Sequence, residues 1–269
     1  MIRAFLILFL VASSAAAHDD LAEQVVAVTR KISRDPRNAE LYLYRAELYR
    51  ADGHWQKAEA DYKTAKTFSS KMISADLGLG LLYLITGRYQ ESKTSLDVFI
   101  TRQPENFQAL AARGQAQSKL GQGKAAIQDY TSALRIRPDP EVYIERAHLQ
   151  TAHDGLHEAL AGLDEGIQRM GSVVTIELYA IELEMKLRHF DEALIRVDRI
   201  SKQSERQETW LAQRGDILRQ AGRPEEARKA YREALLAIES LSPGKRGTRY
   251  TRDLEDRIKK ALETLPDNG

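Results

Sequence analysis

The chain has 269 residues, 40 Lys and Arg against 39 Asp and Glu, and no cysteine. So even a charge balance removes the basic field on which non-specific nucleic-acid binding rests. The lack of cysteine excludes a disulfide framework, a thiol nucleophile, a Cys-ligated zinc or iron–sulfur centre, and lipidation at an N-terminal Cys.

Met1-Ile2-Arg3 forms a short basic start, Ala4 to Ala12 an apolar run, and Ser13 to Ala17 a small-residue stretch with Ala15-x-Ala17 before His18. This order predicts a secretory signal peptide over residues 1–17, cleaved before His18. The apolar run is about half the ~20 residues a membrane span needs. Cleavage removes one arginine and no acid, which leaves 39 basic and 39 acidic side chains. The expectation is export, to the periplasm of a Gram-negative cell or outside the cell, without stable membrane insertion afterwards. Over residues 18–38, Leu21, Val25, Val28 and Ile32 fall on one helical stripe with charged residues elsewhere, as expected of an N-terminal capping helix.

From Ala39 to Leu241 a pattern returns every 34 residues, once every 33: small residues at Ala46, Gly80, Gly114, Ala147, Gly215, with Ile181 in the fifth copy. Twelve residues later come Ala58, Ser92, Ala126, Ala159, Ala193 and Ala227, and four further on the bulky Tyr62, Leu96, Tyr130, Leu163, Val197 and Tyr231. A fixed period of this length predicts stacked helical hairpins, none able to bury its apolar face alone. In the first, helices flank Gly53, and Ala46 and Ala58 mark the closest approach of the pair. Trp55, Tyr62 and Tyr49 fill the wedge to the neighbouring hairpin. The turn glycine returns as Gly87, Gly121, Gly155 and Gly222, with Arg188 in the fifth copy, where a looser or different turn is expected. Pro104 and Pro138 end second helices.

These spacings resemble the tetratricopeptide repeat family, most clearly over Leu110 to Pro138. The resemblance implies an all-α, right-handed α-solenoid of about six hairpins, at 39–72, 73–106, 107–139, 140–173, 174–207 and 208–241. It also implies a concave face lined by first helices. After Ser242-Pro243-Gly244, residues 242–269 carry a stripe of Tyr250, Leu254, Ile258, Ala261 and Leu265 on an otherwise charged helix, read as a C-terminal cap and tail.

Arg45 and Arg113 precede Asp61 and Asp129 by 16 residues, a spacing that sets guanidinium and carboxylate on facing helices of one hairpin as a structural ion pair. Arg146 and Arg214 occupy the same repeat position. His148, His153, Asp154 and His157 suggest a metal-handling alternative, but Gly155 interrupts the helix that His-x-x-x-His chelation needs. His157-Glu158 lacks the second histidine of a zincin, and no nucleophile elbow or phosphate loop is present. The sequence therefore predicts a non-catalytic protein without a cofactor.

The resemblance places a groove on the outward residues of the first helices: Tyr44, Glu47 and Arg50, then Leu77, Leu81, Leu84 and Ile85, then Gln115, Ser118 and Lys119. Ile144, His148, Thr151, Tyr179, Glu182, Met185, Asp216 and Arg219 continue it. A family variant that grips a chaperone's C-terminal carboxylate needs a lysine and an asparagine where Ala111 and Gln115 stand, so that ligand is not expected. The resulting expectation is a scaffold for a protein or peptide partner, engaged in envelope assembly, secretion or complex formation. An accessory or carbohydrate-binding subunit, stacking sugars on Tyr44 and Tyr179, is the alternative.

Overall fold

Asn38, Asn106 and Asp139 each lend a side-chain oxygen to the first free amides of a helix, and each opens a repeat. Such caps satisfy donors that the helix itself leaves unpaired. The structure, a computed structural model, describes residues 20–153 and 155–266. The expected signal peptide therefore lies outside the described residues, as does Asp154.

Among the described residues every regular element is a helix. After α1 (20–34) come six hairpins: α2 Ala39–Ala51 with α3 Trp55–Phe68, α4 Ile73–Ile85 with α5 Tyr89–Arg102, and α6 Phe107–Lys119 with α7 Gly123–Ile136. Then follow α8 Pro140–Thr151 with α9 Leu156–Met170, α10 Val174–Leu187 with α11 Phe190–Ser201, and α12 Gln207–Gln220 with α13 Pro224–Glu239. A single turn, α14 (Pro243–Arg246), leads into α15 (Arg249–Glu263). The chain divides into two units, Met1–Arg137 and Pro138–Gly269, each holding three hairpins.

The turns divide by backbone geometry. Gly53, Gly87, Gly121 and Gly222 take φ between 73° and 75°, where a side chain would be strained. Arg188 adopts the same left-handed region at φ 62°, so the fifth turn keeps its shape with an arginine in place of glycine. Gly155 departs from expectation: its φ is −86°, and it sits directly before α9 as the N-terminal cap residue rather than at the left-handed position.

Small residues recur because bulky ones face them. A Cβ on Gly80 would lie 2.5 Å from Leu96, on Gly114 2.8 Å from Tyr130, and on Gly215 2.5 Å from Tyr231. In the fifth hairpin Ile181 faces Val197, which is smaller than tyrosine, and both are buried. Tyr62 also reaches across to the next hairpin, since a Cβ on Gly78 would come within 2.4 Å of its ring.

The arginines join these layers. Arg45 grips Asp61 with two parallel bonds of 2.7 and 2.9 Å, and Arg113 grips Asp129 with bonds of 2.6 and 2.7 Å. Both aspartates are buried. Each arginine also reaches the preceding element: Arg45 Nη1 donates to Thr29 Oγ1 on α1 at 3.0 Å, and Arg113 Nη1 to Asp97 on α5 at 2.8 Å. Arg214, lacking an acid 16 residues ahead, reaches back to Asp198 on α11 at 2.6 Å. The guanidinium thus fixes the register of a hairpin and docks it on its predecessor.

The ends close on the same principle. Val28 and Ile32 of α1 bury against Leu48. Leu254 and Ile258 of α15, with Leu265 after it, enter the core that holds Ile217, Tyr231 and Ile238. Tyr250, expected on that buried stripe, is instead half exposed, with Arg206 over its ring at 5.3 Å and its hydroxyl 3.1 Å from Thr209.

These clamps separate two substitutions of the same type. Asp61→Ala leaves Arg45 with no carboxylate, only the Thr29 hydroxyl and the rings of Tyr42 and Tyr49, whereas Asp129→Ala leaves Arg113 with the Asp97 carboxylate. Urea melts should show a loss of about 2–3 kcal/mol for Asp61→Ala and a smaller loss for Asp129→Ala. Equal losses would refute the two-sided clamp.

Candidate partner-binding face

A tyrosine buried inside a hairpin needs an acceptor for its hydroxyl. Tyr62 donates to Glu47 Oε1 at 2.6 Å. Arg50 Nη2 donates to Glu47 Oε2 at 2.6 Å and Arg50 Nε to the tyrosine oxygen at 3.2 Å. The same three repeat positions recur in the sixth hairpin, where Tyr231 donates to Asp216 at 2.7 Å with Arg219 beside the hydroxyl. Burial first, and then the hydrogen bond to the carboxylate, raises the pKa of both tyrosines, that of Tyr231 to about 12. Glu47, Arg50 and Arg219, expected as open groove residues, therefore also anchor the core from the face.

In the second hairpin all three positions are leucine: Leu81, Leu84 and Leu96. Leu96 is fully buried against Gly80 and has no hydroxyl to satisfy. Leu77, Leu81 and Leu84 are half-buried on α4, and Ile85 is 56% exposed. Helices α2, α4 and α6 pack side by side, and Leu81 and Leu84 are matched by Glu47 and Arg50 on α2 and by Gln115 and Ser118 on α6, while Leu77 is matched by Leu43 and Ala111, and Ile85 by Ala51 and the exposed Lys119. Tyr44 stands toward the α1 edge, half exposed, and donates to Gln24 at 3.0 Å.

In the second unit Ile144 is half-buried and His148 exposed on α8. Tyr179 is buried, its ring centroid 4.3 Å from that of His148 and its hydroxyl 3.2 Å from Thr151 Oγ1. It links α10 to α8 and does not offer the free aromatic face that sugar stacking requires. A cleft of about 370 Å³ opens between α10, α12 and α15, lined by Glu182, Met185 and Asp216 from the sequence candidates and by Leu178, Ile217 and Arg257 among others. Glu182 is exposed and pairs with Lys186 at 2.7 Å, and Arg257 of the terminal helix reaches Asp216 at 2.6 Å. Leu178 was legible: it occupies the repeat position of Leu77 and Ile144.

The histidines separate. His148 lies on Tyr179, while His157 lies beside His189, ring centroids 6.1 Å apart. Among the described residues no group of three or more His, Asp or Glu side chains is arranged to hold a metal ion.

A stack of antiparallel helical pairs, with the first helices α2, α4 and α6 side by side in the first unit, defines a helical-repeat scaffold. Residues 139–250 match the tetratricopeptide repeat-like domain family, and residues 75–140 match the tetratricopeptide repeat family. The chain is similar to human tetratricopeptide repeat protein 6, 24% identical over 131 residues, and to human tetratricopeptide repeat protein 13, 25% identical over 138 residues. Those stretches cover 48% and 47% of this chain, but only 25% and 16% of the relatives' lengths. Among solved structures it resembles a tetratricopeptide repeat protein from Parabacteroides merdae, with TM-score 0.56 and 18% identity over 91% of this chain and 92% of that one. It also resembles PilF of Pseudomonas aeruginosa, with TM-score 0.54 and 14% identity over 84% of this chain and 99% of that one. The chain belongs to the tetratricopeptide repeat family, whose fold is consistent with a protein-interaction scaffold.

The raised tyrosine pKa values carry a sign. A group whose folded pKa exceeds the unfolded value, here about 10, supports folding fully below that value and loses its support as pH rises through the folded one. Unfolding free energy should therefore fall between about pH 10 and pH 12, and the fall should flatten in Tyr62→Phe/Tyr231→Phe. An unchanged alkaline limb in chemical-denaturation curves would disprove the assignment.

Proposed function

We propose that this chain is a non-catalytic scaffold that receives an apolar-anchored segment of a protein partner on the first helices of its N-terminal unit. The carrying observation is the leucine substitution in the second hairpin. Positions that in the first and sixth hairpins hold a carboxylate and an arginine against a tyrosine are Leu81 and Leu84 there, and Leu77 and Ile85 extend the strip along α4. Apolar side chains left partly in water at matching positions of a repeated face gain by being covered. Leucines four and three residues apart suit the ridge of an amphipathic helix. Charged and polar side chains on α2 and α6 supply a rim around this centre, as interfaces have.

Members of this family are generally non-catalytic scaffolds. The reading extends to export through residues 1–17 and to a role in envelope assembly, secretion or complex formation. The N-terminal order of basic, apolar and small residues supports the export part.

Amphipathic peptides selected from a displayed library should be enriched in apolar anchors at helical spacing. Leu84→Gln/Ile85→Gln should weaken their binding about 10- to 100-fold, since burying one such side chain is worth about 1.5–3 kcal/mol. Glu182→Gln, in the other unit, should leave it unchanged. Selection of peptides without apolar anchors, or full affinity in the double variant with its circular-dichroism melt intact, would refute the site. Expressed in a Gram-negative host, the protein should be recovered from the periplasm with His18 as its first residue by mass spectrometry; an intact Met1 in the cytoplasm would refute export.

A further inference from the structure

In the fifth hairpin the position of Asp61 and Asp129 holds Arg196, and the charge pattern inverts around it. Arg196 is buried and donates to three carboxylates on two neighbouring helices: Nε to Glu184 at 2.7 Å and Nη1 to Glu177 at 3.1 Å on α10, and Nη2 to Asp164 at 2.6 Å on α9. Arg199 adds a bond to Glu177 at 2.7 Å. Asp164, Glu184, Arg196 and Arg199 border a recess of about 270 Å³ between α9, α10 and α11, reached from a different flank of α10 than the cleft above.

Its charge is not balanced. Its lining holds three carboxylates, Asp164, Glu184 and Glu192, with His189 and two guanidiniums, and both guanidiniums are also shared with a fourth carboxylate, Glu177, outside the lining. Glu184 is 2% exposed, and its Oε2 makes no hydrogen bond. Burial raises its pKa above the usual carboxylate range, although the bond from Arg196 pulls the other way. Surplus negative charge around a buried, unpartnered carboxylate oxygen favours a cation. Leu160 and Ile195, the latter 60% exposed, form apolar walls beside that charge. A guanidinium binds best with two free oxygens of one carboxylate, but Glu184 Oε1 already serves Arg196. A compact ammonium needs only single oxygens from several acids, and an alkyl stem matches the walls.

We propose that the recess between α9, α10 and α11 binds a primary ammonium group on an aliphatic stem, as a lysine side chain presents it. Amide NMR of the full chain should show saturable shifts at 160–164 and 192–199 on titration with Nα-acetyl-lysine N-methylamide. Glu192 is exposed, so Glu192→Gln should keep the fold and weaken the response about tenfold. The norleucine analogue should produce no response, and the arginine analogue a weaker one. Absence of saturable shifts, an equal response to norleucine or arginine, or full affinity in Glu192→Gln would overturn the proposal. Cadaverine serves as the second probe: tighter binding than the lysine analogue assigns a free diamine as the natural source, and weaker binding assigns a protein lysine.

Discussion

In the second, third, fourth and sixth hairpins the two helices approach so closely that a bulky side chain on one is met by a glycine on the other. Gly114 against Tyr130 and Gly215 against Tyr231 leave no room for a methyl group. Interiors packed to this density tolerate exchange only when volume is conserved across the pair. The fifth hairpin illustrates the rule, since Ile181 is accepted because Val197 stands opposite. The fourth shows a reversal, with Tyr143 on the first helix lying against Gly166 on the second. The contact survives every change of residue, and the period of the chain is the record of that contact.

This packing rule couples the core to the outer face. In the first and sixth hairpins the tyrosine used as the bulky partner brings a hydroxyl inward, and the hydroxyl binds Glu47 or Asp216 with an arginine beside it. A leucine in the same place makes no such demand, and in the second hairpin both face positions become leucine as well. In these three hairpins the face residues match the core residue beneath them. That link gives the α4 strip its meaning: it lies where the internal requirement for charge has lapsed.

Buried charge adds a second layer of order. The bidentate arginines of the first and third hairpins bind within a hairpin and back to the preceding element, so each guanidinium fixes two interfaces. Removing one partner of a partly buried pair of this geometry is costly because it strands the other. Around Arg196 the polarity reverses and the acids outnumber the bases, which turns a register device into a recess with an unmet preference for positive charge.

Much of the fold was legible because its signals are local or strictly periodic. The small and bulky positions, the prolines after second helices and the Arg45–Asp61 and Arg113–Asp129 pairs all follow from a 34-residue spacing on helical geometry. The backward bonds from Arg113 to Asp97 and from Arg214 to Asp198 were also within reach, since 16 residues separate each pair. Other features depend on distances no spacing encodes. Tyr179 is buried because α8 brings His148 over its ring, and Tyr250 stays exposed because α15 is docked through Leu254 and Ile258; the negative φ of Gly155, by contrast, goes with a readable offset, since it stands eight residues after Ala147 where the other turn residues stand seven after theirs. Periodicity states which residues share a face of one helix. Whether that face meets solvent, a neighbouring ring or a buried acid is settled only when the helices are packed, because burial and charge pairing are properties of the assembled layers.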